Sequence, residues 1–263
     1  MAANERRVAV DAARAAGQLL RRELPRTRQV SYKGPVTNLV TDMDARAEQL
    51  VVDALLAAFP DDGILAEEGS ARAGRSGRRW IIDPLDGTTN YAHGVPLYTV
   101  GIGLEQDGAI VLGVVYEPSR DELYVAERGG GAWLNDTTPL SVSTTETLDT
   151  SLLVTGFPYN IREIADTNLR EYATFALRSR AVRRLGSALL DFAYVASGRF
   201  DGYWELSLSP WDVAAGAILV EEAGGRVTDL RGDRVDVDRP KIVATNGRIH
   251  DQVLAVLKEI RPA

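Results

Sequence analysis

One stretch of sequence decides the fold: Trp80-Ile81-Ile82-Asp83-Pro84-Leu85-Asp86-Gly87-Thr88-Thr89-Asn90. Its first three residues are typical of the end of a buried strand. Pro84 has no N–H to donate, so strand pairing is expected to stop there. Gly87 then opens a turn in which one of the next three polar residues is able to cap a short helix. The stretch therefore predicts a strand end, a turn and a helix N-terminus in close succession.

Two aspartates, Asp83 and Asp86, fall at this junction. Carboxylates beside an apolar strand repel one another unless a cation or hydrogen bonds neutralise them. Mg²⁺ takes oxygen ligands and binds phosphate together with one or two carboxylates. The free N–H groups of Gly87 and Thr88 would face an anion. The turn thus predicts a metal on one side and a phosphate on the other, although Asp-Pro and Asp-Gly are also common in ordinary turns.

The composition is typical of a soluble globular protein. The chain has 263 residues, of which 45% are hydrophobic and 25% charged, enough for one large domain or two closely packed halves. No apolar stretch reaches the roughly 18 residues that a membrane span needs. The first residues lack the apolar region of a secretory signal, so a cytoplasmic location is expected.

The rare residue types limit the chemistry. Cys is absent, which excludes disulfides, thiolate catalysis and Cys-based zinc sites. His93 and His250 are the only histidines, so a metal is expected to have oxygen ligands. The net charge of −7 argues against non-specific nucleic-acid binding, and no direct nucleic-acid partner is expected. An acidic protein that binds an anionic substrate needs a bridging cation.

Two helices joined by a polar segment are predicted before the central stretch. The first covers residues 4–24 and ends at Pro25, and the second runs from about 42 to 59. Residues 29–38 between them are expected to form a polar loop or hairpin. Lys33 in that segment is by itself typical of a surface residue.

Acids in this half are candidates for more than solvation. Asp44 shares a helix face with Ala47 and Val51, which turns its carboxylate partly toward the core, where it needs a partner. Glu67 follows a short buried strand. Paired glutamates such as Glu67-Glu68 are usually solvated, but one that points toward Asp83 would join a metal-ligand cluster.

The element pattern changes midway along the chain. Val-, Ile- and Tyr-rich segments with tight turns predict an antiparallel meander, and hence an α+β first half, over residues 97–105, 109–117, 122–128 and 132–135. The Ser/Thr-rich connection 137–150 is the candidate boundary. Helices and strands alternate after it, including a helix near 161–178, which indicates an α/β half. We therefore predict two halves, 1–140 and 141–263.

Two helix starts in the second half have open interpretations. Ser187, after Gly186, is a natural cap for a helix from 187 to 197, and most such turns are structural. Asp212 lies in the first turn of an almost wholly apolar helix. It either complements the helix dipole or is a further carboxylate directed at the Asp83 turn.

In combination, these motifs resemble the inositol monophosphatase family. The resemblance rests on Asp83-Pro84-Leu85-Asp86-Gly87-Thr88-Thr89-Asn90, on Glu67-Glu68 and on Trp211-Asp212-Val213-Ala214-Ala215-Gly216, and it extends from Lys33 to the last helix. That family belongs to the magnesium-dependent, lithium-sensitive phosphatases. The resemblance implies a layered αβαβα sandwich, which agrees with an α+β half followed by an α/β half.

The resemblance also implies a set of metal ligands. Glu67, Asp83 and the carbonyl of Leu85 match the ligands of a first Mg²⁺. Asp83, Asp86 and Asp212 match those of a second, and two or three ions are expected.

Catalytic roles follow from the same resemblance. Thr88 and Asp44 match the pair that orients and deprotonates the attacking water, and Glu67 is grouped with them. The backbone N–H groups of Gly87 and Thr88 would hold the phosphate. Two cations would neutralise the charge of an in-line displacement without a covalent intermediate.

The substrate side is implied residue by residue. Glu205 matches a position that contacts inositol hydroxyls, and Ala188 lies in a substrate-facing turn. Asp86 and Asp212 border the substrate as well as the metals. Lys33 matches a lysine on a mobile loop near the site.

The resemblance implies hydrolysis of inositol monophosphate, a small phosphorylated polyol, by a homodimer. Fructose 1,6-bisphosphate, histidinol phosphate and 3'-phosphoadenosine 5'-phosphate are alternative substrates of the same framework, since a fold does not fix specificity. A non-enzymatic alternative is a binding protein associated with the transcription machinery. The presence of all five expected carboxylates argues against that as the sole role.

Overall fold

The structure, a computed structural model, describes residues 3–24, 30–32 and 39–261. Its helices are α1 (Ala3–Glu23), α2 (Asp42–Ala58), α3 (Thr88–Ala92), α4 (Leu169–Arg178), α5 (Ala188–Ala196), α6 (Pro210–Glu222) and α7 (His250–Ile260), with a 3₁₀ turn at Leu148–Thr150. Lys33 and the tip of the predicted hairpin lie outside the described residues. The flanking segments form two short strands, β1 (Val30–Tyr32) and β2 (Leu39–Thr41), which pair antiparallel.

A large sheet occupies the first half of the chain. Its strands are β3 (Gly63–Ala66), β4 (Ala71–Arg72), β5 (Arg78–Asp86), β6 (Thr99–Gln106), β7 (Ala109–Glu117), β8 (Glu122–Glu127), β9 (Gly131–Leu134) and β10 (Thr138–Pro139). They lie in the order β10-β9-β8-β7-β6-β5-β3-β4. The pairs from β5 to β10 are antiparallel, which confirms the meander, whereas β3 runs parallel to β5.

A smaller mixed sheet follows. It contains β11 (Leu152–Thr155), β12 (Ala181–Arg183), β13 (Gly202–Glu205), β14 (Arg226–Thr228) and β15 (Ile242–Thr245), in the order β12-β11-β13-β15-β14. β11 is parallel to both of its neighbours, and β15 is antiparallel to β13 and β14. The two sheets thus draw on separate parts of the chain, while the exact division into halves 1–140 and 141–263 stays a prediction.

The core consists of three hydrophobic clusters that lie between five layers of helices and sheets. Helices α1 and α2 pack on one face of the large sheet, and Leu20, Val51 and Trp80 belong to the same buried cluster. Helices α5 and α6 fill the space between the sheets, where Phe192 meets Tyr203 edge to face. Helices α4 and α7 contact the smaller sheet and contribute to the third cluster. The order of layers is αβαβα, as predicted, because each sheet needs an apolar cover on both faces.

One local prediction at the central stretch was wrong. Pairing of β5 with β6 does not stop at Pro84: it runs to Asp83, opposite Gly101, and resumes at Asp86, opposite Thr99. The register shifts between the two aspartates. A bulge tolerates proline because a bulged residue needs no ladder hydrogen bond. The strand therefore carries both carboxylates, one on each side of the irregularity.

The helix predicted near 161–178 is also shorter in the structure. Helix α4 begins at Leu169, and Asn168 before it has a left-handed backbone with φ of 66°. The buried Asn168 amide donates to Thr155 Oγ1 at 2.8 Å, and its oxygen accepts from Trp204 Nε1 at 2.7 Å. An L-residue in this conformation does not continue a right-handed helix. Tertiary hydrogen bonds therefore determine where α4 begins, and the hydrophobic periodicity of the sequence did not predict this position.

The membrane prediction can be compared with the helices directly. Among the helices in residues 3–24 and 39–261, none combines the length and the apolar character needed to cross a bilayer.

Candidate active site

The end of β5 holds the two aspartates, and the phosphate-binding candidates Gly87 and Thr88 follow it at the start of α3. Asp83 is 1% exposed and Asp86 7% exposed. Gly87 precedes α3 with φ of 96°, and a Cβ there would lie 2.9 Å from the Leu97 carbonyl oxygen. Only glycine meets both conditions without strain. The backbone N–H groups that follow belong to the first turn of a helix, where no intrahelical acceptor exists for them.

Hydrogen bonds of Asp86 join the end of β5 in the large sheet to the start of helix α5. Its carboxylate accepts from Ser187 Oγ at 2.6 Å, Ala188 N at 3.0 Å and Leu189 N at 2.8 Å. Thr99 Oγ1 donates to it as well, at 3.1 Å. A helix N-terminus stabilises a carboxylate in this position. The turn at Ser187 is therefore more than a cap, because it fixes one of the candidate ligands.

Four carboxylates face one cavity of about 190 Å³, whose wall also includes the Leu85, Gly87 and Thr88 positions; these acids are Glu67, Asp83, Asp86 and Asp212. Burial raises the pKa of Asp83 well above its usual value, and the charges of Glu67, Asp86 and Asp212 raise it further. The pKa of Asp212 is raised by the same two causes, burial first and then neighbouring acids. Such a concentration of negative charge favours a bound cation.

Asp212 has both of the roles considered for it. It is the N3 residue of α6 in a capping box, where its Oδ2 accepts from Ser209 N at 2.6 Å. It also lines the cavity with the three other acids. A carboxylate in the first turn complements the helix dipole while its remaining lone pairs stay available to a ligand.

The donor set fits a hard divalent cation. It consists of carboxylate oxygens and the Leu85 carbonyl oxygen, which lies 3.0 Å from Thr88 Oγ1. Oxygen ligands of this kind suit Mg²⁺ rather than softer metals. In the described residues no three Asp, Glu or His side chains are grouped tightly enough to hold an ion as they stand. All four acids nevertheless line one cavity, and neighbouring carboxylates raise the pKa of Asp83 and of Asp212.

Asp44 has the partner that its position in α2 demanded. Thr88 Oγ1 donates to Asp44 Oδ1 at 3.0 Å. The other oxygen of Asp44 accepts from Thr41 N at 2.9 Å and from Thr41 Oγ1 at 2.6 Å. Asp44 is 1% exposed, so these contacts satisfy a buried carboxylate and fix its direction.

The sequence prediction missed Glu48, which holds the segment that follows Glu67. Its carboxylate accepts from Glu68 N at 2.7 Å and from Ser70 N at 3.0 Å, and its side chain is buried. Glu48 lies one turn after Asp44 on the same face of α2. That i, i+4 spacing is the signal by which it was identifiable.

A second cavity of about 50 Å³ adjoins the first and shares Asp86 and Asp212 with its wall. Its lining includes the predicted substrate residues Ala188 and Glu205, and also Arg184 and Asp191, which the prediction missed. Tyr203 Oη donates to Glu205 at 2.7 Å. Burial raises the pKa of Glu205 to about 7. Asp191 had the appearance of an ordinary helix-start acid, so nothing in the local sequence marked it.

The sequence and the structure are both similar to those of inositol monophosphatase family proteins over nearly the whole chain. A sequence model of the inositol monophosphatase family matches residues 2–261. The inositol-1-monophosphatase of Mesorhizobium japonicum is 45% identical over 255 residues, which are 96% of this chain and 95% of the relative. The Nus factor SuhB of Pseudomonas aeruginosa is 41% identical over 262 residues, covering 97% and 96%. The crystal structure of the extragenic suppressor protein SuhB from Bartonella henselae has a TM-score of 0.91 and 41% identity, covering 98% of this chain and 99% of that chain.

Proposed function

The chain belongs to the inositol monophosphatase family and is a phosphatase of that family, and on this premise we propose that it hydrolyses inositol monophosphate with Mg²⁺ as cofactor. The observation that supports this most directly is the cavity in which four acids adjoin Gly87 and Thr88. An anion and an acidic wall are compatible only when cations lie between them.

Five groups would hold two or three Mg²⁺ ions: Glu67, Asp83, Asp86, Asp212 and the Leu85 carbonyl. When bound, Mg²⁺ lowers the pKa of water and neutralises charge on the phosphate and its leaving oxygen. The four acids of the cavity wall supply the negative charge that would retain the ions. Glu48, through Glu68 N, fixes the segment that carries Glu67.

The proton of the attacking water would leave through Thr88 and Asp44. The Thr88 hydroxyl has lone pairs with which to accept from a water while its own proton points to Asp44 Oδ1. Asp44, held on its far side by Thr41, is the acceptor. The N–H groups of Gly87 and Thr88 would bind phosphate oxygens at the start of α3. No protein nucleophile is required in this scheme.

The alcohol would lie toward Glu205 and Ala188, in the second cavity. A buried carboxylate is a good acceptor for sugar-type hydroxyls. Fructose 1,6-bisphosphate, histidinol phosphate and 3'-phosphoadenosine 5'-phosphate are the competing substrates. The homodimer, the cytoplasmic location, the sensitivity to lithium and the role of Lys33 stay predictions.

Phosphate release from these four esters, with Mg²⁺ and with EDTA, tests the proposal. We expect Mg²⁺-dependent release with the highest kcat/KM for inositol 1-phosphate, and inhibition by Li⁺. Asp212→Asn, which keeps the shape of a ligand but removes its charge, should be inactive. Release that persists in EDTA would contradict the metal assignment, and a higher kcat/KM for another ester would change the substrate.

Relatives named Nus factor SuhB favour a second candidate, a role in transcription in addition to catalysis. Binding to purified RNA polymerase, measured for the wild type and for inactive Asp212→Asn, tests it. Equal binding by both proteins would support a separate function, and no binding by either would remove it.

A further inference from the structure

The second cavity contains an acid for which the proposed reaction has no role. Asp191 lies in the first turn of α5 and is 1% exposed. Its side chain lines the cavity together with Glu205 and Arg184. Its Oδ1 is buried and has no hydrogen-bond partner within the described part of the chain. A buried acceptor without a partner is costly, so its retention in a cavity wall points to a ligand that supplies one.

Ordinary structural roles for Asp191 are already filled by other groups. Acids in a first turn commonly complement the helix dipole, but at α5 the free N–H groups of Ala188 and Leu189 donate to Asp86. Arg184 lines the same cavity and its charge opposes the rise in the pKa of Asp191, yet within the described residues the two side chains form no ion pair. Capping and charge pairing therefore do not account for this carboxyl group.

We propose that Asp191 is a specificity residue that hydrogen-bonds a hydroxyl group of the substrate alcohol, beside Glu205. This inference rests on the proposed function, because it places the ester's phosphate in the first cavity. The two cavities share Asp86, Tyr159, Ser207 and Asp212 in their walls, so a ligand in one adjoins the other.

The size and charge of the second cavity define the class of substrate. About 50 Å³ is room for a few water-sized groups, which suits the hydroxyl-bearing edge of a ring. Its wall holds two carboxyl groups, Asp191 and Glu205, against one cation, Arg184, so it suits hydroxyl groups better than a second phosphate group. The pocket therefore selects phosphomonoesters of polyols that present adjacent hydroxyls and are uncharged on the alcohol side.

The two acids are suited to different halves of such a contact. Burial, with the charges of Glu205 and Asp86, raises the pKa of Asp191 well above its usual value. A protonated Asp191 is able to donate as well as accept, whereas Glu205 is already an acceptor for Tyr203 Oη. Asparagine at position 191 would keep both abilities, and leucine, of similar volume, would keep neither.

A matched pair of esters tests the inference. Inositol 1-phosphate and cyclohexyl phosphate share a six-membered ring and a phosphate, and only the first carries the other hydroxyls. Mg²⁺-dependent kcat/KM is measured for both esters with wild type, Asp191→Leu and Asp191→Asn. Asp149→Leu, at an exposed acid on the outer 3₁₀ turn, is the control substitution.

We expect Asp191→Leu to lower the ratio of kcat/KM for inositol 1-phosphate over cyclohexyl phosphate by about tenfold, the size of one lost hydrogen bond to a hydroxyl. Asp191→Asn should keep the ratio within about threefold of the wild-type value, and Asp149→Leu should keep it unchanged. An unchanged ratio in Asp191→Leu, or an equal fall for both esters, would overturn the role of Asp191.

Folding and the underlying activity are checked separately. Circular dichroism melting of each variant shows whether it is folded, and Asp191→Ala replaces the leucine variant if that protein is not. Failure of the wild type to release phosphate from either ester would overturn the proposed function, and this inference with it. If both esters are hydrolysed and the ratio of their kcat/KM values is the same in the wild type and in Asp191→Leu, the inference alone is overturned.

Discussion

The Thr88 hydroxyl donates to Asp44 Oδ1 at 3.0 Å, and this bond joins the first turn of α3 to the first turn of α2. Both side chains are almost fully buried. Asp44 is anchored by Thr41, so the direction of the hydroxyl is fixed by a residue 44 positions away in the chain. A hydroxyl held in this way is prepared to pass a proton to a carboxylate.

Thr88→Ala should therefore lower kcat by about 10²-fold or more while changing KM little, since its backbone N–H remains available to the phosphate. Thr88→Ser keeps the hydroxyl and is the control, for which we expect most of the activity to remain. Steady-state kinetics at saturating Mg²⁺ give both constants. A Thr88→Ala enzyme with wild-type kcat would exclude the proton path through Asp44.

Asp83→Asn should stabilise the protein in EDTA and destabilise it relative to wild type in Mg²⁺. Asparagine removes a buried charge that Glu67, Asp86 and Asp212 repel, while its oxygen is still able to accept from Leu85 N. A gain of about 1 kcal/mol would raise the melting temperature by roughly 2–4 °C. Bound Mg²⁺ stabilises only a protein that retains its ligands.

Thermal unfolding of both proteins in EDTA and in Mg²⁺ shows whether the order reverses. The control is Asp42→Asn, an exposed acid at the start of α2, for which the two melting temperatures should shift together with those of the wild type. If Asp83→Asn gains as much stability from Mg²⁺ as the wild type does, Asp83 is not a ligand.

Features that depend on residues close together in the chain were predicted from the sequence, and features that depend on contacts between distant residues were not. Gly87 and the aspartates on either side of Pro84 act through local backbone geometry, so the motif located the glycine turn and two acids of the cavity wall. The bond from Ser187 to Asp86 spans 101 positions, and periodicity carries no information about such a contact. The left-handed Asn168 was hidden for the same reason, because its partners are on other strands.

The two kinds of half were predictable because apolar patterns report burial directly, whereas the layered αβαβα arrangement was implied by the family resemblance. Strands with tight turns predicted the meander, and alternating elements predicted the second half. The predicted end of the strand at Pro84 was wrong because a bulge at this point makes the missing N–H unnecessary, and pairing with β6 resumes at Asp86. Asp191 escaped notice since an acid in a first helical turn has a sufficient local explanation, and only the cavity reveals its missing partner.

Glu48→Gln should weaken Mg²⁺ binding without direct contact to the ion. Glu68 N and Ser70 N each donate to a different oxygen of Glu48, and glutamine replaces one of these oxygens with an NH₂ group that would face one of the two donors. The segment after Glu67 then loses its anchor, and we expect about tenfold weaker binding. Mg²⁺-dependent thermal stabilisation, titrated over concentration, measures it independently of turnover.

The matched control is Asp53→Asn, an exposed acid on the same helix that accepts from Gln49. It should leave the Mg²⁺ titration unchanged. A Glu48→Gln protein that titrates with Mg²⁺ like the wild type would show that the segment carrying Glu67 needs no anchor from α2.

His250 should make stability depend on pH through a network remote from the cavity. It is fully buried, with Nε2 2.9 Å from Thr228 Oγ1 and Nδ1 2.9 Å from Thr245 Oγ1. Thr228 donates its proton to the Asp229 carbonyl, so it accepts from Nε2–H, and Nδ1 accepts from Thr245. The imidazole is thus neutral with both nitrogens occupied, and burial lowers its pKa to about 4.

The sign of the effect follows from the two pKa values. Between about 4, the folded value of His250, and the usual 6.5, the unfolded state binds more protons than the folded one. Stability contributed by the neutral imidazole is therefore complete at pH 7.5 and declines as the pH falls toward 4.

His250→Gln has no such titration, while groups elsewhere, including the cavity acids, affect both proteins alike. Urea unfolding in EDTA at pH 7.5 and pH 5 should show the wild type's advantage over His250→Gln shrinking by on the order of 1–2 kcal/mol. An advantage that is the same at both values would mean that His250 does not become charged on unfolding in this range.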